Sequence, residues 1–173
     1  MQFLGAGPVI KVVLRFRTAF WEKIARGRYC AAAFFHSYRA PFPTFWTALP
    51  ARGPMLVGWA GGPKAVRLSG KPLPAIVRSA LSSLRLMLGG AARHESEPVG
   101  AQAHDWQRGP YARSAYSFIR VGGSEARRHL AAPVEHTLYF AGEATDEGEA
   151  ATVAGALQSG VRAAREAMKD AQG

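Results

Sequence analysis

From Val9 to Phe16 the chain reads Val-Ile-Lys-Val-Val-Leu-Arg-Phe, an apolar, β-branched run that predicts a strand. Apolar residues occupy both alternating positions, so the strand is expected inside a sheet, with Lys11 embedded in it. Further strands are predicted over 32–37, 44–48 and 55–60, with Gly and Pro punctuating between them. A helix follows over 73–88, opened by Pro72, with apolar residues at the 3.6-residue period from Leu73 to Leu88, and closed by Gly89-Gly90. The stretch 91–105 is polar and reads as one strand with a connector. A short helix over 125–130 precedes an apolar strand over 137–140, which ends on Gly142-Glu143. An acidic loop leads from there into a long alanine-rich helix over 151–171. A strand end, a glycine and a helix N-terminus form a place where backbone N–H groups and the helix dipole meet an electron-rich ligand.

Composition narrows the function. The chain has 173 residues, is 48% hydrophobic and carries a formal net charge of +10. Such a balance invites a polyanion partner. Its arginines are scattered along the chain, however, and no aromatic–basic motif of an RNA-binding sheet is present, so no nucleic-acid partner is expected. Cys30 is the single cysteine, and the five histidines show no metal-ligand spacing, so no metal site is expected. No signal peptide or membrane-length apolar run is visible, which predicts a cytoplasmic protein without membrane contact.

Three blocks lie in order along the chain: Gly5 to Phe16 followed by Phe20-Trp21, Trp106 to Ser117, and Tyr139 to Ala164. Together they resemble the flavin-containing amine oxidase family, which includes monoamine oxidases, polyamine oxidases and flavin-dependent histone lysine demethylases. The resemblance implies FAD as cofactor, and catalytic roles for Lys11 and Tyr116. Lys11 would reach the reactive flavin nitrogen through a water, and Tyr116 with Trp106 would wall the flavin. It also implies cofactor contacts from Trp106, Gly142, Glu143, Thr152 and Val153. Ala115 stands where monoamine oxidases carry the cysteine that holds flavin covalently, so FAD is expected to be non-covalent. Thr152 stands where they place a second tyrosine, which puts a two-tyrosine cage in doubt. Read from the residues alone, the alternatives are a Lys11 that snorkels to water, and a Trp106 and Tyr116 that are core aromatics. Asp146, Glu147 and Glu149 read as helix-capping acids.

The family's glycine-rich dinucleotide-binding unit has no match here, because Gly5-Ala6-Gly7-Pro8 precedes a strand rather than following one. The expectation is therefore the C-terminal part of such an enzyme, in an α+β / α/β arrangement. Residues 1–98 would be a portion of a mixed-sheet substrate domain, and 99–173 the closing strand–helix segment of a Rossmann-like FAD domain. The implied activity is oxidation of an amine C–N bond by hydride transfer to flavin, with molecular oxygen as second substrate and hydrogen peroxide as product. The chain would need the absent N-terminal region and would bind FAD weakly or not at all by itself. The alternative is a catalytically incompetent remnant or interaction module of the same fold.

Overall fold

A computed structural model describes residues 3–89 and 97–172; Gly90 and the first part of the polar connector expected over 91–105 lie outside them. The architecture is mixed α+β, as expected, and divides into two compact units: residues 8–112, and residues 1–7 with 113–173.

The 8–112 unit is a five-stranded antiparallel sheet in the order β3-β4-β5-β2-β6. Its strands are β2 (Val9–Arg15), β3 (Phe34–His36), β4 (Thr44–Thr47), β5 (Met55–Gly61) and β6 (Gly100–Asp105). As the apolar run predicts, β2 lies inside the sheet, between β5 and β6. One face is buried throughout, and the other is buried only at Val9 and opens at Lys11, which corrects the expectation of an embedded lysine. Ile10, Val12 and Leu14 point into the core, and Lys11 and Arg15 are exposed on the other face. The period of two decides this, because a cation at every fourth residue keeps one face wet.

Helix α1 (Ile24–Gly27) is a single turn interrupted by left-handed Ala25 and Arg26, and α2 (Gly62–Leu68) follows β5 directly. The core is closed by α3 (Leu73–Leu88), whose span matches the predicted helix. Its Ile76, Ala80, Leu81, Leu84 and Leu88 pack with Phe45, Leu56 and the buried face of β2 in one cluster. Ser83 is fully buried on the same face and is satisfied, accepting from the Phe42 amide at 3.0 Å and donating to the Ser79 carbonyl at 2.8 Å. Leu84 has no exposed surface. Leu84→Ala is expected to cost about 2–5 kcal/mol in a urea titration followed by tryptophan fluorescence. A loss below about 1 kcal/mol would mean that the α3–sheet interface is not the core of this unit.

The expected boundary at residue 98 is not where the units part. β6 pairs with β2 over six consecutive positions, so the main chain ties residues 100–105 to the first sheet and the division falls after Ala112.

In the other unit, β1 (Leu4–Gly7) and β7 (Tyr116–Ile119) form an antiparallel ribbon. Gly5 and Gly7 lie opposite Phe118 and Tyr116, whose rings fold over them; a Cβ at Gly7 would stand 2.7 Å from the Tyr116 ring. These glycines make room for aromatic rings rather than for a phosphate. The short α4 (Ala126–Ala131) and the long α5 (Val153–Asp170) complete the unit.

The strand expected over 137–140 does not form. Val134 and Leu138 make an isolated bridge, and Tyr139–Ala141 have no strand partner among the described residues. An apolar run becomes a strand only where a ladder can satisfy its main chain. Side chains of α5 do that here: Arg162 donates to the Phe140 carbonyl at 2.7 Å, and the Gly142 amide donates to Ser159 Oγ at 2.8 Å.

Candidate functional site

In the 1–7/113–173 unit, the segment after Gly142 winds into a 3-10 turn, Glu143–Thr145. Gly142 has φ +135°, ψ 164°, backbone space that essentially only glycine occupies. A Cβ built there would meet nothing within 4 Å, so the space beside its Cα is open.

Glu143 is the hub beside it. Its carboxylate accepts from the Ser117 amide at 2.9 Å, from Ser117 Oγ at 2.7 Å and from the Ala151 amide at 3.0 Å. Arg127, only 4% exposed, completes the network. It donates to Ser117 Oγ at 2.7 Å and to the Glu143 carbonyl at 3.2 Å, and its guanidinium stands 3.8 Å from the Glu143 carboxylate. Glu143 therefore ties β7, α4 and the approach to α5 together before any ligand is considered. Nothing in the sequence marks Arg127 as buried, because an arginine on a short polar helix reads as surface. Ser117, next to Tyr116, is equally unmarked.

Through this hub Glu143 also fixes how α5 begins. Ala151 sits at φ +62°, so the helix cannot include it and starts at Val153 rather than at 151. Thr152 is the N-cap, its hydroxyl accepting from the Gly155 amide at 3.0 Å. Capping thus falls to Thr152 and not to the acidic loop. Asp146 instead closes its own turn by accepting from the Glu149 amide at 2.7 Å, and Glu147 pairs loosely with Arg128 at 3.8 Å. The Val153 side chain is exposed, as is Thr152. Tyr116 is half-buried, with its ring against Gly7.

Lys11 and Trp106 belong to the 8–112 unit. On the open face of the sheet, Lys11 stands in register between Trp59 of β5 and His104 of β6. Its ammonium lies 5.5 Å from the Trp46 ring centre, a cation–π arrangement, and it has no carboxylate partner among the described residues. Trp106 opens a 3-10 turn after β6, with its ring edge-on to His104 at 4.4 Å. The ten-residue spacing from Trp106 to Tyr116 therefore runs across the division between the units.

A titrating cluster at the end of α5 was missed at the sequence level. Tyr139 donates to Asp170 at 2.6 Å, and His136 Nδ1 lies 3.0 Å from the same oxygen. The hydrogen bond to Asp170 pushes the Tyr139 hydroxyl up to about 12, and the same bond holds the Asp170 carboxyl below its usual range. Tyr139 titrates higher folded than unfolded, so its contribution is full below the ordinary value of 10.0 and fades as pH rises toward about 12. Asp170 titrates lower folded, so its contribution is full above the ordinary 3.8 and fades as pH falls. Anchoring of the 134–139 turn to α5 is thus expected to be flat between these limits. Absorbance titration should find one tyrosine ionising near 12, returning toward 10 in Asp170→Asn; an unchanged profile would break this assignment.

Known proteins resemble this chain over most of its length. The family model described as "Flavin containing amine oxidoreductase" matches residues 1–168. Among curated relatives, the chain is 36% identical over 163 residues to "Lysine-specific histone demethylase 1 homolog 3" of Arabidopsis thaliana, covering 93% of this chain and 10% of that protein. It is 30% identical over 168 residues to human "Lysine-specific histone demethylase 2", covering 93% and 20%. Among solved structures, a putrescine oxidase bound to putrescine superposes with a TM-score of 0.79 at 23% identity, over 97% of this chain and 36% of that one. The cyclohexylamine oxidase of Brevibacterium oxydans gives 0.76 at 18%, with the same coverage. The chain thus spans a tenth to a fifth of these two curated relatives and about a third of the two structures. With the family model matched over nearly its whole length, the chain belongs to the flavin-containing amine oxidoreductase family.

Proposed function

We propose that the chain supplies the flavin-ring end of an FAD-dependent amine oxidoreductase with non-covalent cofactor. The observation that carries this reading is the setting of Lys11, an ammonium held by no carboxylate among the described residues and placed among Trp46, Trp59 and His104. A cation kept free in an aromatic wall is suited to hold a water and pass a proton beside a planar, electron-accepting group. In the other unit, Gly142 leaves the space beside its Cα open, and Thr152 and Val153 form the exposed start of α5, whose positive end favours a ring gaining negative charge. When bound, FAD would supply the two-electron oxidation of the amine C–N bond, with molecular oxygen as final acceptor and hydrogen peroxide as product.

The chain's own residues would bind and orient. Tyr116 and Trp106 would offer ring faces to the amine and cofactor, as the family resemblance implies. Glu143 would act mainly through its protein contacts, holding the Gly142 turn and the start of α5 in place, with its partly exposed carboxylate available to a cofactor hydroxyl. The substrate class proposed is a small-molecule amine. The full-length protein, purified with FAD, should hold it at one per chain and release it on denaturation. Protein that retains no flavin would sink the proposal. Flavin retained without any amine-dependent peroxide would favour a non-catalytic module of the same fold.

A further inference from the structure

The charge of this molecule is not spread evenly. Residues 8–112 hold 15 of the 22 Lys and Arg but only 4 of the 12 Asp and Glu, whereas the other unit is close to neutral. Within the basic unit, a cavity of about 570 Å3 opens beside β6, between the sheet and the loop that joins α2 to α3. Three cations line it, Lys11, Lys71 and Arg108, together with His104. None of the three has a carboxylate partner among the described residues.

One acid, Asp105, shares the cavity, and it is already engaged. Its carboxylate accepts from Ser69 Oγ at 2.7 Å, the Gly70 amide at 3.1 Å, the Gln107 amide at 3.2 Å and Gln107 Nε2 at 2.9 Å. Four donors fill the lone pairs of a carboxylate. Asp105 therefore builds the cavity wall, pinning the Ser69-Gly70 turn to the end of β6, rather than neutralising the cations. Gly70 is in the left-handed region at φ +74°, and Arg108 Nη1 stands 2.8 Å from where a Cβ would be. A side chain at Gly70 would displace the guanidinium, so this glycine sets where Arg108 sits.

Three cations against one acid give the lining an excess of positive charge, suited to a doubly charged anion. We propose that this cavity binds the doubly charged anionic group of a small molecule, a phosphate monoester or a dicarboxylate, held chiefly by Lys71 and Arg108 with His104 as a further donor. The assignment shares Lys11 and His104 with the oxidoreductase reading, and competition with FAD separates the two.

Calorimetric titration of the full chain with inorganic phosphate and, separately, with succinate tests it. Saturable binding at one site per chain is expected for at least one of them. Tighter phosphate binding assigns a phosphoryl group, and tighter succinate binding assigns a dicarboxylate. Lys71→Ala/Arg108→Ala should weaken binding at least about tenfold, whereas Arg78→Ala/Arg85→Ala, which removes two α3 cations outside the cavity, should leave it within about twofold. Circular dichroism of both variants should match the parent, because all four side chains are exposed. No saturable binding, equal losses in the two variants, or phosphate displaced by FAD would overturn the proposal. The last result would return the cavity to the cofactor.

Discussion

Glu143→Ala is expected to destabilise the unit of residues 1–7 and 113–173 by about 3–5 kcal/mol, more than the median surface substitution by a wide margin. The substitution strands Arg127, whose side chain is 5% exposed, without its only carboxylate neighbour among the described residues. It also leaves the amides of Ser117 and Ala151 without their acceptor. The second loss reaches the helix, because Ala151 at φ +62° is held in its left-handed conformation by that hydrogen bond. Hydrogen exchange at Ser117, Ala151 and the first turn of α5 is the suitable readout, since all four tryptophans lie in the other unit. Glu143→Gln keeps an acceptor but removes the charge, and should fall between the parent and Glu143→Ala. Unchanged protection at Ser117 and Ala151 in Glu143→Ala would show that the hub is not structural.

Lys11→Met should separate activity from stability. Lys11 is exposed, and its ammonium rests against the Trp46 ring with no carboxylate partner among the described residues, so folding free energy should change by about 0.5 kcal/mol or less. In the FAD-loaded full-length protein, amine-dependent oxygen consumption should fall about 100-fold or more, the scale typical of losing a positioned proton-transfer group. Lys11→Arg keeps the charge and the ring contact but not the compact ammonium, and should recover little activity. A stable variant with parental turnover would remove Lys11 from the reaction.

These two residues show what was legible in the sequence. The pattern marked Lys11 as a cation in an apolar run but its role came from the resemblance, and the same pattern placed β2, β4, β5 and α3 close to their observed limits. Its exposure was misjudged because apolar Val9 and Val13 masked the open face, on which Lys11 and Arg15 lie. Glu143 was found by resemblance, but its partners were not, because Ser117 and Arg127 are 26 and 16 positions away and polar residues carry no period. β1 was hidden by its glycines, which make sense only beneath the rings of Phe118 and Tyr116. α2 was hidden by Gly61-Gly62-Pro63, which reads as a turn but places Pro63 in the first turn of a helix. The 137–140 segment has strand composition without a strand partner, and only the donors Ser159 and Arg162 reveal what holds it.

These residues are proposed to serve oxidation of an amine by bound FAD. Anaerobic mixing of the FAD-loaded full-length protein with a panel of primary, secondary and polyamine substrates, followed by visible absorbance, tests it most directly. At least one amine is expected to bleach the flavin band, admitting air should restore it with peroxide released, and Lys11→Met should slow the cycle. Stoichiometric flavin whose absorbance no amine changes would contradict it.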